Sequence, residues 1–379
     1  MEGRILIAGG GTGGHIYPAI ATIEALRELG DFQFLYVGAR GGLETRLIPP
    51  LGIPLRRLWI SGFQRYWTWR NLLFPLKVLV SLVLSWFILR QFRPDVAVGT
   101  GGYVTGPILF LAARQGIPVL IQEQDVHPGV TTRLLARYAS RICLAYEAAR
   151  THFAEWSEKV AITGNPVRQE LLALDREAAR AHWGIAPERT VLLVFGGSQG
   201  AQAINRALEQ VAPRLLESYD LEILWQTGRV DWERVQGGNL AGHPRVHPVP
   251  YIEEMALAYG AADLIVSRAG ALTLAELAVV GRPAILVPYP HAAGDHQRKN
   301  ALAMQQAGAA LVVEEAPGWE ARLLEALKAV LDDPDKSRKM AQAWKPLARP
   351  HAARAIAKEV VQLLREHRPQ ETAVQITAR

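Results

Sequence analysis

A chain of 379 residues, 49% hydrophobic and 21% charged, is a folded globular protein and too long for one ordinary core. Two domains of roughly 150–200 residues are therefore expected. The formal net charge of +6 points to an anionic partner, a phosphorylated substrate or an acidic membrane, whereas the lack of zinc-ligand spacing and of basic runs broken by stacking aromatics argues against nucleic acid.

The first predicted element is the strand "RILIAGG", which runs into "GGTGGHIYP". This start is not the basic segment and apolar run of a secretory signal. Gly9, Gly11 and Gly14 match G-x-G-x-x-G, a loop whose small residues let backbone N–H groups approach a phosphate at a helix N-terminus. A helix is expected over Ala19–Leu29 and a second strand at "FQFLYVG". No acid ends that strand to hold a ribose, but Arg40 follows it and could meet a 2′-phosphate, so an NADP oxidoreductase stays open.

Leu72–Leu89 is apolar except for Lys77, Ser81 and Ser85, which fall four residues apart along one helical face. At 1.5 Å per residue its roughly 18 residues reach about 27 Å, the lower edge for crossing a bilayer. Pro75 fits the first turn. Three readings stand: a helix buried against a sheet, one whose apolar side (Leu72, Leu73, Phe74, Leu76, Leu79, Trp86) dips into a membrane surface, and a transmembrane span. The span comes third because the segment sits between strands of what should be one sheet. Trp59, Trp67, Trp69, Arg65, Arg70, Arg90 and Arg93 around it suit an anionic lipid interface.

"DVAVGTGG" and "PVLIQEQ" continue the strand pattern. The single cysteine, Cys143, can form no internal disulfide, which fits a reducing compartment and a buried apolar role. A hinge is expected near Ile162–Arg168. The strand–glycine–helix pattern then restarts with "TVLLVFGGSQGAQAINRALEQV" and continues through "EILWQTG", "DLIVSRAG" and "PAILVPYP". The fold class is thus α/β: two Rossmann-like domains with parallel sheets and helices on both faces.

"GGSQG" also matches G-x-S-x-G, the elbow of a serine hydrolase, with His296 following in the required order; the alternative is that Ser198 offers its hydroxyl and N–H to an anion. In "SRAGALTLAELAVVGRP" a helix starts near Ala271, its positive end suited to a diphosphate, with Glu276 able to reach a ribose diol. Asp333-Pro334-Asp335, the only Asp-x-Asp, reads as a turn with a helix cap, and His291 and His296 lack a metal-ligand context, so no metal site is expected.

"GGGTGGHIYPA", "GTGGYVTGP", "QEQD", "GNPVR", "GGSQGAQAIN", "SRAGALTLAEL" and "DHQRKNA" occur in this order between about Ile5 and Ala310. This set resembles the bacterial family of UDP-N-acetylglucosamine transferases that make lipid II. The resemblance implies two facing Rossmann-like domains, the GT-B arrangement, and inverting transfer of N-acetylglucosamine to the C4 hydroxyl of undecaprenyl-pyrophosphoryl-N-acetylmuramyl-pentapeptide. It implies peripheral attachment at the cytoplasmic face of the membrane and no required cofactor. The domains would be 1–163, facing acceptor and membrane; 164–340, binding the UDP-sugar; C-terminal helices over 341–366, with packing back on the first domain one arrangement; and a tail over 367–379.

For the site, the resemblance implies that Ser198 and Ala271, Leu272, Thr273, Leu274, Ala275 and Glu276 hold UDP, with Ile252 beside the uracil and Arg168 near the phosphates. Gln297 would read the sugar hydroxyls. Thr12, Gly13 and Gly14 would line the cleft, and Gly101, Gly102, Tyr103 and Thr105 would face the acceptor's pyrophosphate. The chain departs from the family's His-Glu-Gln-Asn at Gln122-Glu123-Gln124-Asp125, so Asp125 brings a carboxylate to a donor contact. His15 is the candidate base, on a loop facing the cleft, with a histidine that packs at its own helix start as the alternative reading. Glu123 and Asp125 are the other candidate bases. Another UDP-sugar lipid glycosyltransferase of the same fold is the nearest rival function; a non-catalytic membrane scaffold is a further one.

Overall fold

The computed structural model describes residues 1–62, 72–197 and 199–367. Strands β1 (Glu2–Ala8), β2 (Asp31–Ala39), β3 (Leu55–Leu58), β4 (Val96–Gly99), β5 (Val119–Glu123), β6 (Arg141–Leu144) and β7 (Val160–Ile162) form a parallel seven-stranded sheet ordered β3-β2-β1-β4-β5-β6-β7. Strands β8 (Thr190–Phe195), β9 (Leu221–Gln226), β10 (Val246–Val249), β11 (Leu264–Ser267), β12 (Ala284–Leu286) and β13 (Ala310–Val312) form a second, six-stranded, ordered β10-β9-β8-β11-β12-β13. The central strands are apolar on both faces because helices cover both, as in Ile5, Leu6 and Ile7 of β1, all fully buried. Cys143 is buried in β6, as expected. In each sheet the order of strands reverses direction once, between β1 and β4 and between β8 and β11. Loops diverge there and open a crevice at the strands' C-terminal ends.

Seven helices position the site: α1 (Gly13–Arg27), α2 (Phe74–Phe92), α3 (Thr105–Arg114), α4 (Gln202–Ser218), α5 (Ala271–Val280), α6 (His296–Gln306) and α7 (Ala352–His367). α1 starts six residues before the expected Ala19, so Pro18 lies inside it and His15 sits in its first turn rather than on a loop. Proline there gives up one helical hydrogen bond, which marks a helix start displaced by something other than local preference. After the helix Pro334–Ala343, whose Met340 belongs to the second half's core, the chain crosses back. α7 lays Ile356, Ala357, Val360, Leu363 and Leu364 against Ile16, Ile23 and Leu26 of α1. Arg141 and Glu359 clamp that return with an ion pair of 3.0 Å.

α2 is inverted relative to a surface helix. Its polar stripe faces inward: Ser81 and Ser85 are fully buried, Ser81 Oγ donates to the Trp59 carbonyl at 3.1 Å, and Lys77 Nζ reaches Ser61 Oγ at 2.8 Å. Its apolar face points outward, with Leu76, Leu79, Val83, Trp86 and Phe87 exposed, Leu79 by 60% and Phe87 by 59%, and Leu72 and Leu73 just before the helix are exposed too. One side of the helix does pack on the sheet, with Ile88 and Leu89 buried in the core, but the other stays open, so it is not a helix wholly buried against the sheet. Phe74 is the exception on the outward face, being half-buried. The flanking Arg65, Trp67, Trp69 and Arg70, like Ser198 and the tail beyond His367, lie outside the described residues.

Candidate active site between the two sheets

The β1–α1 turn is organised by a residue the motif does not include. Glu44 is fully buried; its carboxylate accepts the Ala39 N–H at 2.6 Å and the Gly11 N–H at 3.4 Å. Gly10, Gly38 and Gly42 crowd its side chain so closely that a Cβ on any of them would strike it. A carboxylate thus stands at the end of β2 and takes the Gly11 N–H, which a dinucleotide's pyrophosphate would need. Arg40 is exposed. This arrangement leaves no support for the NADP reading.

His15 Nδ1 lies 3.0 Å from the Gly10 carbonyl oxygen. Because a carbonyl only accepts, Nδ1 carries the proton and Nε2 presents a lone pair. The ring edge rests on Gly101, whose φ of +106° and lack of Cβ make room for it. Burial lowers the imidazole pKa below the ordinary 6.5; the Gly10 hydrogen bond and the Asp125 carboxylate oppose this, while His296 across the cleft adds to it. Thr100 Oγ1 donates to the His15 carbonyl at 2.7 Å, and Gln124 Nε2 donates to the Thr100 carbonyl at 2.7 Å, so three loops of the first sheet are tied together.

Glu123 is buried, and both carboxylate oxygens turn to backbone N–H groups: Asp125 at 3.1 Å and Gly129 at 3.0 Å. Burial, then the nearby Asp125, pushes its carboxyl up to about 7. Its atoms thus face the β5 loop rather than open space. Asp125 accepts a hydrogen bond from Asn300 Nδ2 at 2.8 Å, and Asn300 Oδ1 accepts the Val126 N–H at 3.0 Å. Asn300 is on α6, so this pair joins the two halves. Tyr146 Oη donates to the Ala271 carbonyl at 3.2 Å, and Asn165 Nδ2 to the same oxygen at 3.4 Å, bringing the start of α5 beside the first sheet.

On the second half, Glu276 is buried and bridged. Arg168 Nε meets Oε1 at 2.9 Å, and the buried Tyr259 Oη donates to Oε2 at 3.0 Å. Burial raises the Glu276 carboxyl, against the pull of Arg168 and the Tyr259 hydrogen bond. Burial works against the Arg168 charge, yet Glu276, Tyr259 and Tyr251 outweigh it and raise the guanidinium pKa. Gln297 Oε1 accepts the Tyr289 N–H at 3.0 Å. An open cavity of about 240 Å³ lies beside the second glycine loop, lined by Gln199, Arg229, Val230 and Tyr251.

Three expected contact residues are placed differently. Leu274 is fully buried in the core, since positions 274, 277 and 278 form the inner face of α5, and its N–H bonds to the Gly270 carbonyl. Its side chain therefore cannot reach a ligand; Ala271, Leu272, Thr273 and Ala275 remain partly open. Ile252 is likewise in the core, with its N–H held by Gln226 Oε1 at 3.0 Å, which leaves only its carbonyl for a base. Thr105 is buried and its hydroxyl donates to the Gly102 carbonyl at 2.7 Å; Tyr103 and Thr12 are exposed, and Gly13 and Gly14 are half-buried. Asp333 accepts the Lys336 N–H at 2.9 Å, the helix cap expected of it. No group of three or more His, Cys, Asp or Glu side chains suited to a metal occurs among the described residues.

The sequence reading missed Glu44, Tyr259 and Asn300. Asn300 lay within the quoted "DHQRKNA"; Glu44 followed two glycines just after β2; nothing local singled out Tyr259.

Comparison with known proteins bears on all of this. Models of the glycosyltransferase family 28 N-terminal and C-terminal domains match residues 5–144 and 191–360. A Salinibacter ruber protein described as UDP-N-acetylglucosamine--N-acetylmuramyl-(pentapeptide) pyrophosphoryl-undecaprenol N-acetylglucosamine transferase is 45% identical over 96% of this chain and 98% of its own. One of the same description from Moorella thermoacetica is 41% identical over 94% and 98%. The crystal structure of Acinetobacter baumannii MurG superposes with a TM-score of 0.76 at 29% identity, covering 95% of this chain and 99% of that one. A Neisseria meningitidis UDP-GlcNAc 2-epimerase, with a TM-score of 0.65 and 16% identity, shares the fold.

Proposed function

The chain belongs to the family of UDP-N-acetylglucosamine–N-acetylmuramyl-(pentapeptide) pyrophosphoryl-undecaprenol N-acetylglucosamine transferases, and from that premise we propose how its residues carry out the transfer. It is an inverting glycosyltransferase that moves N-acetylglucosamine from UDP to the muramyl C4 hydroxyl of the lipid-linked acceptor, lipid I, giving lipid II. The observation that supports the residue roles is the Asp125–Asn300 hydrogen bond, which brings α6 to the β5 loop that is tied, through Gln124 and Thr100, to the first turn of α1 carrying His15.

In that cleft His15 Nε2 takes the proton of the attacking hydroxyl, and Asp125 favours the imidazolium that results. The departing diphosphate gains negative charge as the glycosidic bond breaks. The N-terminal end of α5 and the half-exposed Arg168 meet that charge. Glu276 holds the ribose, Gln297 the sugar, and the backbone at Ile252 the uracil. Glu123 shapes the β5 loop. The acceptor's pyrophosphate lies against Gly101, Gly102 and Tyr103. Its lipid tail stays in the cytoplasmic leaflet, where the outward face of α2 rests on an anionic surface.

Purified protein is expected to transfer label from sugar-labelled UDP-N-acetylglucosamine to a lipid I analogue with EDTA present. Transfer only after magnesium is added would overturn the metal-free handling of the diphosphate. Transfer to diacylglycerol but not to the muramyl acceptor would overturn the acceptor assignment.

Glu276→Gln keeps an acceptor for Tyr259 but loses the charged grip on the ribose. It is expected to raise KM for UDP-N-acetylglucosamine about 10- to 100-fold, with a smaller change in kcat. Steady-state kinetics at saturating acceptor check this. An unchanged donor KM would remove Glu276 from the donor site.

A further inference from the structure

Beside the cleft, next to the Asp125–Asn300 pair, basic side chains from both halves gather. The rings of His127 and His152 meet edge to face, their centroids 4.4 Å apart. The Val126 N–H bonded to Asn300 fixes α6 against this loop, and so brings Lys299, the residue before Asn300, close enough for its charge to act on His127, the residue after Val126. Arg133 comes from the short helix Val130–Leu135 that follows the same loop. The His127 imidazole is lowered first by burial and then by Lys299, His152 and Arg133. The ion pairs of α6 use Arg298, with Glu314 and Asp295, and none among the described residues joins the four groups to a carboxylate. Lys299 and Arg133, set beside two imidazoles and paired with no carboxylate among the described residues, leave positive charge and N–H donors unmatched, so the cluster marks a place for an anion.

The helices order the possible occupants. α2, with its outward apolar face, packs on α3, and α3 packs on Val130–Leu135. The cluster is therefore separated from the lipid-facing helix by another helix. An acceptor anchored at α2 has its pyrophosphate next to the lipid and its peptide at the far end.

We propose that His127, His152, Arg133 and Lys299 form an anion seat, completed only when both halves meet, that takes a carboxylate of the acceptor's peptide. This rests on the acceptor named under Proposed function: any peptide ending in a free carboxylate offers two oxygens to these N–H donors. Lys299 comes from the donor-binding half, so an acceptor held here is also held against the UDP-sugar side of the cleft.

The test uses two short-chain lipid I analogues, one with the native pentapeptide and one with its peptide carboxylates amidated. Lys299→Ala and Arg133→Ala are each expected to raise KM for the native acceptor about tenfold and to leave KM for UDP-N-acetylglucosamine unchanged. On the amidated acceptor, variants and wild type should match, and Lys299→Arg should restore most of the native-acceptor affinity. An equal rise on both acceptors would overturn the proposal, because the cluster would then serve the pyrophosphate or the fold. No change on either would also overturn it. Failure of the wild-type protein to glycosylate either acceptor would instead sink the proposed function itself.

Discussion

His15→Ala is expected to lower kcat by about 10²- to 10⁴-fold, the range a positioned general base contributes, with little change in KM for UDP-N-acetylglucosamine. Two geometric facts underlie this. The Gly10 carbonyl fixes the proton on Nδ1, leaving Nε2 as the basic atom, and Gly101 gives the ring its seat. The pH dependence follows from the same surroundings. A base must be unprotonated, so activity is lost as pH falls through the His15 pKa. Burial lowers that pKa from the ordinary 6.5, so the acid limb of the kcat profile is expected below 6.5 and should be absent in His15→Ala. Asp125→Asn removes a carboxylate that raises the His15 pKa, so its acid limb should move further to low pH, at reduced kcat. A loss of under tenfold in His15→Ala, or an acid limb that survives in it, would pass the role of base to another group, with Asp125 first in line.

The parts of this site that were legible in the sequence are those where one short stretch makes both loop and helix. "GGGTGGH", "GTGGYVTG" and "SRAGALTLAE" each close a buried strand and open a helix, and each falls where expected, at a strand's C-terminal end beside a reversal of strand order. Residues whose partners arrive from elsewhere in the chain were not legible. Glu44 does for the first glycine loop what a ligand phosphate does in a dinucleotide fold, but only the folded chain brings it under Gly11. Tyr259 reaches Glu276 from a different helix, and Asn300 reaches Asp125 from the other half. The motif alone groups Leu274 with its neighbours: it sits among partly open residues in sequence, yet its position on α5 sends it into the core. Strands β3, β6, β7, β10 and β13 escaped the reading. Length does not set them apart, since β4, β11 and β12 are as short, but β3 carries two exposed arginines and β10 holds His247 and Pro248, so the apolar pattern is broken there.

The inward-facing serines of α2 carry the second large prediction. A helix that buries Ser81 and Ser85 while exposing Leu79 and Phe87 is arranged for an apolar surrounding, not for water. Placing charge on that face should therefore abolish attachment without touching the chemistry. Leu79→Glu combined with Phe87→Glu is expected to lower partitioning onto vesicles containing anionic lipid by at least about 100-fold, since each apolar side chain contributes about 1.5–3 kcal/mol on leaving water. Vesicle sedimentation reads this directly. Both residues are exposed, so the melting temperature should hold, and kcat/KM on a water-soluble short-chain acceptor should match the wild type. On the full-length polyprenyl acceptor in vesicles, activity should fall in step with binding. Arg90 and Arg93 at the end of the helix add a weaker, electrostatic share of about 1 kcal/mol each, so wild-type binding should also decline as salt rises. Undiminished sedimentation of the double variant would place the membrane contact elsewhere. Loss of activity on the soluble acceptor as well would mean that α2 supports the cleft rather than the bilayer.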